Sequence, residues 1–89
     1  MVTRQEVYEA LDSERAYQNY RWGDGHDLAH RRPEEWLVYM DVYLQRAKEA
    51  ATNDYDSIAI PAAVEVIRKI TALGVAAMEQ LGAPRRKGY

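Results

Sequence analysis

The run Glu14-Arg15-Ala16-Tyr17-Gln18-Asn19-Tyr20-Arg21-Trp22-Gly23 gathers two tyrosines, two arginines and a tryptophan into ten residues. Tyrosine and tryptophan rings offer flat faces on which a base can stack, and a guanidinium offers a planar fork that matches a phosphate. Such a set recognises an aromatic anion; it contains no nucleophile paired with a base. The whole chain leans the same way, with seven tyrosines, two tryptophans and no phenylalanine. Aromatics with a polar edge suit wet pockets and interfaces better than dry cores. The same residues also suit a plain helix-to-loop corner, Tyr20, Arg21 and Trp22 above all.

Cations are unevenly placed. Arg15, Arg21, His26, His30, Arg31 and Arg32 fall in the first third, and Arg85, Arg86 and Lys87 close the chain. They read either as solvated loop charge or as a compact anion pocket, which needs only a few convergent cations. A net charge of −2 speaks against a protein that coats a nucleic-acid backbone. The third helical segment has only Arg68 and Lys69 as cations, so a DNA-recognition helix is not expected.

Other chemistries find less. An all-α nucleotide pyrophosphohydrolase needs clustered carboxylates to hold magnesium around the phosphates, usually Glu-Glu-x-x-Glu with a later Glu-x-x-Asp. Glu34-Glu35 begins that pattern, but Val38 stands at its third position and Glu65 is followed three residues on by Arg68. His26 and His30, with Asp24 and Asp27 nearby, have superficial metal-ligand spacing. Gly23 and Gly25 interrupt the helix that would give that spacing meaning. No Gly-x-Ser-x-Gly elbow, Walker loop or Ser-His-Asp set is present. The expectation is therefore no catalysis, no metal and no cofactor.

The elements that must position these residues are three helices, and no stretch alternates with a period of two, so the fold class is all-α. The first helix is expected over about residues 3–21, opened by a Thr3/Glu6 capping box. Its apolar face (Val7, Leu11, Tyr17) is thin, so it must lean on a neighbour. A loop follows from Trp22-Gly23-Asp24-Gly25 to Arg32. Pro33 fits the first turn of a second helix over 33–51, with Glu34 and Glu35 at the positive end of its dipole. Thr52 to Ser57 is a turn by composition. A third helix spans about 58–81, stopped by Gly82 and Pro84. It carries one apolar stripe of Ile60, Val64, Ile67, Ile70, Gly74, Ala77, Met78 and Leu81, and a second of Ala62, Val66, Leu73 and Ala76. Both long helices have apolar arcs wider than one face needs. A hairpin in a single domain of 89 residues cannot cover them, so the surplus is expected to meet another copy. No apolar run nears the roughly 18–20 residues of a membrane span, Met1 to Glu6 lack a signal-peptide core, and cysteine is absent, which together suggest the cytosol.

The run from Glu14 to Gly23 resembles the Glu-Arg-x-Tyr-Gln-x-x-Arg-Trp-Gly signature of small phage helical-hairpin proteins, the anti-CBASS cyclic-oligonucleotide sponges and related anti-Thoeris proteins. Trp36 at the start of the first long helix, the basic pair Arg68-Lys69 and the tail Pro84-Arg85-Arg86 extend the likeness over most of the chain. The N-terminal extension, Met1 to Ser13, and the loop from Asp24 to Arg32 depart from the commoner pattern. The resemblance implies a cytoplasmic homo-hexamer, built from dimers in the infected host cell, that sequesters cyclic di- or trinucleotide signals without cleaving them. It implies that Tyr17 stacks on a base and that His30, Arg31 or Arg32 meets a phosphate. Arg68 is expected as a second anion contact, with Tyr20, Arg21 and Trp22 as further ligand-binding candidates. A two-fold interface presents each residue twice, matching the approximate symmetry of a cyclic dinucleotide, and a three-fold junction suits a cyclic trinucleotide. A purely structural helical oligomerisation module is the bland alternative.

Overall fold

The Thr3 hydroxyl accepts the Glu6 N–H at 3.1 Å, and the Glu6 carboxylate accepts the Thr3 N–H at 3.3 Å. Two free donors of the first turn are thereby satisfied reciprocally, and helix α1 runs from Arg4 to Trp22. It stops at Gly23, whose φ of 83° would strain a residue with a Cβ, and whose N–H returns to the Asn19 carbonyl at 2.8 Å. Helix α2 spans Pro33–Asn53 and helix α3 Ile60–Leu81. The computed structural model describes residues 1–23, 31–53 and 60–89, and among these there are three helices and no strand. Thr52 and Asn53, expected in a turn, continue α2 instead. The rest of that turn, and the loop from Asp24 to His30, lie outside the described residues. No helix among the described residues is long and apolar enough to cross a membrane.

Both other helices pack on α3. Trp36, near the start of α2, is 3% exposed and packs with Leu73 and Ala76. Its indole Nε1 donates to Gln80 Oε1 at 2.7 Å, so the buried polar edge has a partner. Trp22, Tyr39, Met40, Tyr43 and Ala77 complete this cluster at its margins. The core is small and one aromatic dominates it.

Helix α1 leans on α3 as its thin apolar face requires, but by a different surface from the one expected. Val7 and Tyr17 are exposed, and Leu11 is only half-buried. The buried residues of α1 are Glu14 and Gln18. The docked side is polar because α3 answers it with Arg68 and Glu79, so charge takes the place that apolar area fills elsewhere.

Of the two stripes on α3, the lesser one enters the core, through Leu73 and Ala76. The greater is only partly covered: Ala77 packs at the margin of the core and Ile70 and Gly74 are half-buried, while Ile60, Val64, Ile67, Met78 and Leu81 are all exposed, between 48% and 78%. Together with Thr71 and Gly74 these exposed residues are spaced 4-3-4-3-4-3, the heptad repeat that keeps one seam along the whole helix. Leu37 and Leu44 of α2 are exposed as well. Gly74 lies at the edge of this seam, and a Cβ there would meet only the Met40 terminal methyl at an ordinary 3.5 Å. Gly74→Ala should therefore stabilise the chain by up to about 1 kcal/mol through helix propensity, read as a higher urea midpoint. A lower midpoint would show that a surface from outside this chain sits on Gly74.

Candidate functional site: an aromatic and cationic cleft

The Glu14-to-Gly23 run divides by helical spacing into two jobs. Glu14, Arg15, Gln18 and Trp22 turn inward and fasten α1. Arg68 Nε donates to Glu14 Oε1 at 2.8 Å, and its two Nη groups bind the carboxylate of Glu65 one turn earlier on α3. Arg15 grips Glu79 through two bonds of 2.9 and 2.7 Å, and also donates to Gln18 Oε1 at 3.0 Å and Asn19 Oδ1 at 3.1 Å. These hydrogen bonds hold the Glu65 and Glu79 carboxyls below their usual range and raise the Arg15 and Arg68 guanidiniums further.

Tyr17 and Arg21, one turn apart, face a cleft of about 290 Å³ between the helices. Trp22 joins them from α1, Lys69 and Leu73 line it from α3, and Tyr39 and Tyr43 from α2. The Tyr39 and Tyr43 rings lie 5.4 Å apart, tilted by 43°. Both also line an open groove of about 500 Å³ along α2, with Val38, Val42, the arginines Arg31 and Arg46, and at one end the carboxylates Glu34 and Glu35 that Arg32 engages. The Arg31 guanidinium stands 4.6 Å over the Tyr39 ring and 5.7 Å from Trp36, while Arg46 lies 5.8 Å from Tyr43. Such stacking fixes a guanidinium plane and leaves its N–H edge available for an anion. Burial, then the neighbouring Tyr43, pushes the Tyr39 hydroxyl above its ordinary range, so it remains a proton donor at neutral pH.

The expected site residues are scattered over these features. Tyr17, Arg21 and Trp22 meet in the cleft, and Arg31 lies in the adjoining groove. Tyr20 is 84% exposed and lines neither. Arg32 is paired with Glu34 at 3.1 Å and with Glu35 at 3.5 Å, on the surface. Arg68 is bound by two carboxylates and borders Tyr17 from outside the cleft. That charge is already compensated, so an anion contact from Arg68 is disfavoured; its neighbour Lys69 faces the cleft instead. His30, and with it the His26/His30 spacing, lies outside the described residues.

Tyr39, Tyr43 and Arg46 line these features without being among the expected ligand contacts, and Lys69, noted only as part of the basic pair Arg68-Lys69, lines the cleft as well. Three of them do leave a signal, since positions 39, 43 and 46 fall on one side of a helix.

The seven cations in and around the cleft and groove fall into two sets. Arg15, Arg32 and Arg68 are spent on carboxylates. Arg21 and Lys69 of the cleft, and Arg31 and Arg46 of the groove, carry no ion pair among the described residues. The carboxylates Glu34, Glu35 and Glu65 are each engaged by an arginine. Among the described residues no three His, Asp or Glu side chains converge as a metal ion would require. The arrangement can hold an anion beside the Tyr39–Tyr43 pair, with the groove-side faces of those rings already carrying Arg31 and Arg46. No family model, curated protein or solved structure matches this chain.

Proposed function

We propose that the protein binds cyclic oligonucleotides, cyclic di- or trinucleotides, and sequesters them without chemical change, as the phage sponges it resembles do in the infected cell. One observation carries the reading: Arg21, Lys69, Arg31 and Arg46, all without carboxylate partners among the described residues, surround Tyr39 and Tyr43. Tyr17 adds a third ring with its face available, being 55% exposed. Aromatic faces interleaved with unpaired cations are what a phosphate-linked pair of bases requires.

The proposal includes assembly. The chain forms a long antiparallel hairpin of α2 and α3 with α1 laid across it, and further copies cover the bare α3 seam. The favoured form is a dimer-based hexamer. Two open concavities of a few hundred Å³ sit at the lower end of ligand-pocket sizes, and a symmetry mate closes them without a longer chain.

Calorimetric titration with a panel of cyclic di- and trinucleotides tests the reading, followed by recovery of the nucleotide after heat denaturation. With two symmetry-related copies of Tyr17 around one ligand, Tyr17→Ala removes both and should weaken binding more than tenfold, given roughly 1–3 kcal/mol per stacked base and 1.4 kcal/mol per factor of ten. Lys69→Ala removes a charged phosphate contact of about 1.5–3 kcal/mol and should do the same. Lys69→Ala should also flatten the salt dependence of affinity. The nucleotide should be released intact. Absence of heat across the panel with the oligomer present would reduce the protein to an assembly module. Magnesium-dependent release of pyrophosphate from a nucleoside triphosphate, lost in Glu35→Gln, would make it an enzyme.

A further inference from the structure

We infer that Glu14 is the positioning residue of the cleft: its buried ion pair with Arg68, rather than apolar burial, sets whether Tyr17 and Arg21 face Tyr39, Tyr43 and Lys69. The inference rests on reading that cleft as the ligand site.

The carboxylate of Glu14 is 7% exposed and receives the 2.8 Å bond from Arg68 Nε. Glu65 occupies both Nη groups of the same guanidinium from within α3. It thereby orients the fork before α1 arrives and leaves Nε as the donor that reaches across. The apolar hold on α1 is slight by comparison. Residues 1–10 are all exposed, Leu11 and Trp22 are half-buried, and Tyr17 and Tyr20 remain largely exposed. The second clasp, Arg15 on Glu79, is anchored eleven residues further along α3 than Arg68, about 16 Å at 1.5 Å per residue. Both clasps leave α1 at adjacent residues, Glu14 and Arg15, so together they pin the helix at one point between two distant anchors on α3. Tyr17 and Arg21 stand three and seven residues beyond Glu14, on the adjoining side of the helix. Rotation or lift of α1 at Glu14 therefore carries both out of the cleft together.

A buried pair is a stringent device. Arg68 is 29% exposed and keeps Glu65 when Glu14 is changed, so what Glu14→Gln loses is the charged bond that crosses from α3 to a carboxylate that is 7% exposed, whereas a fully exposed pair would lose little. The core formed by Trp36, Leu73 and Ala76 belongs to α2 and α3, so loosening α1 need not unfold them.

Amide hydrogen exchange on the full chain tests this without any ligand. Glu14→Gln keeps the shape and removes the charge. Exchange over residues 7–20 should then rise at least about tenfold, while residues 64–78 keep their protection. Affinity for a cyclic dinucleotide probe, cyclic di-AMP, should fall by at least about tenfold in the same variant. Combining Glu14→Arg with Arg68→Glu should restore both, because the introduced arginine meets carboxylates at positions 65 and 68. Unchanged exchange in α1, or equal loss of protection in α2 and α3, would overturn the assignment, as would failure of the double exchange to rescue. Wild-type protein that gives no binding heat, yet loses α1 protection in Glu14→Gln, would retain Glu14 as the clasp of α1 and overturn the ligand reading alone.

Discussion

Trp36→Ala is expected to leave the chain largely unfolded at 37 °C. Trp36 is 3% exposed and is the centre of a core otherwise made of Leu73 and small alanines. Truncating a buried tryptophan costs about 3–5 kcal/mol, from lost transfer energy and the cavity left behind. The variant also strips Gln80 of the indole donor that it accepts at 2.7 Å. A domain of this length has a total stability of only about 4–13 kcal/mol, at roughly 0.05–0.15 kcal/mol per residue. One side chain therefore stands against a large part of the whole. Trp36→Phe is the milder step, since it keeps a six-membered ring in the core and loses the pyrrole part of the indole together with the Gln80 bond, so its cost should fall between those of the wild type and Trp36→Ala. Far-UV circular dichroism with urea titration reads the series. A Trp36→Ala transition as cooperative as the wild type, within 1 kcal/mol of it, would mean that the bare seam and not this cluster carries the stability.

Four of the helix ends were legible because their signals are local, whereas the end of α2 was not, since Thr52 and Asn53 have turn composition yet continue the helix. Thr3 with Glu6, Pro33, Gly23 and Gly82 each act on backbone groups within one turn, and all four stand where helices begin or stop. The cleft was legible only from the α1 side. Tyr17, Arg21 and Trp22 are neighbours in sequence, so their clustering shows without a structure. Tyr39, Tyr43 and Lys69 come to them from two other helices, and nothing local records that meeting. Arg68 and Lys69 illustrate the limit. They are adjacent in sequence but about 100° apart around α3, so one faces Glu14 and the other the cleft. Choosing between them requires knowing where α1 lies. The docking side of α1 was hidden for a related reason. A search for apolar periodicity does not find a face made of Glu14, Arg15 and Gln18, whose burial makes sense only once Arg68 and Glu79 are placed opposite.

Ile67→Glu should dissociate the proposed assembly while leaving the single chain folded. Ile67 is 60% exposed, near the middle of the seam from Ile60 to Leu81. On an isolated chain, a charge at such a position changes stability by no more than about 0.5 kcal/mol. Against another copy the same carboxylate is buried without a partner, a penalty of several kcal/mol per site. A two-fold interface imposes it twice, so the dissociation constant should rise at least about a hundredfold. Light scattering at micromolar concentration should give several times 10.3 kDa for the wild type and about one chain mass for the variant, with unchanged helical dichroism. A wild-type monomer, or a variant that keeps the wild-type mass, would remove the seam from any interface. The same variant also decides whether the ligand site is shared. Its cleft residues, Tyr17, Arg21, Tyr39, Tyr43 and Lys69, lie away from Ile67 and are intact in the monomer. If monomeric Ile67→Glu binds a cyclic dinucleotide as tightly as the wild type, each chain carries a complete pocket. If affinity falls together with the mass, the second copy supplies the opposite wall, and two sets of the same rings and cations enclose one symmetric ligand.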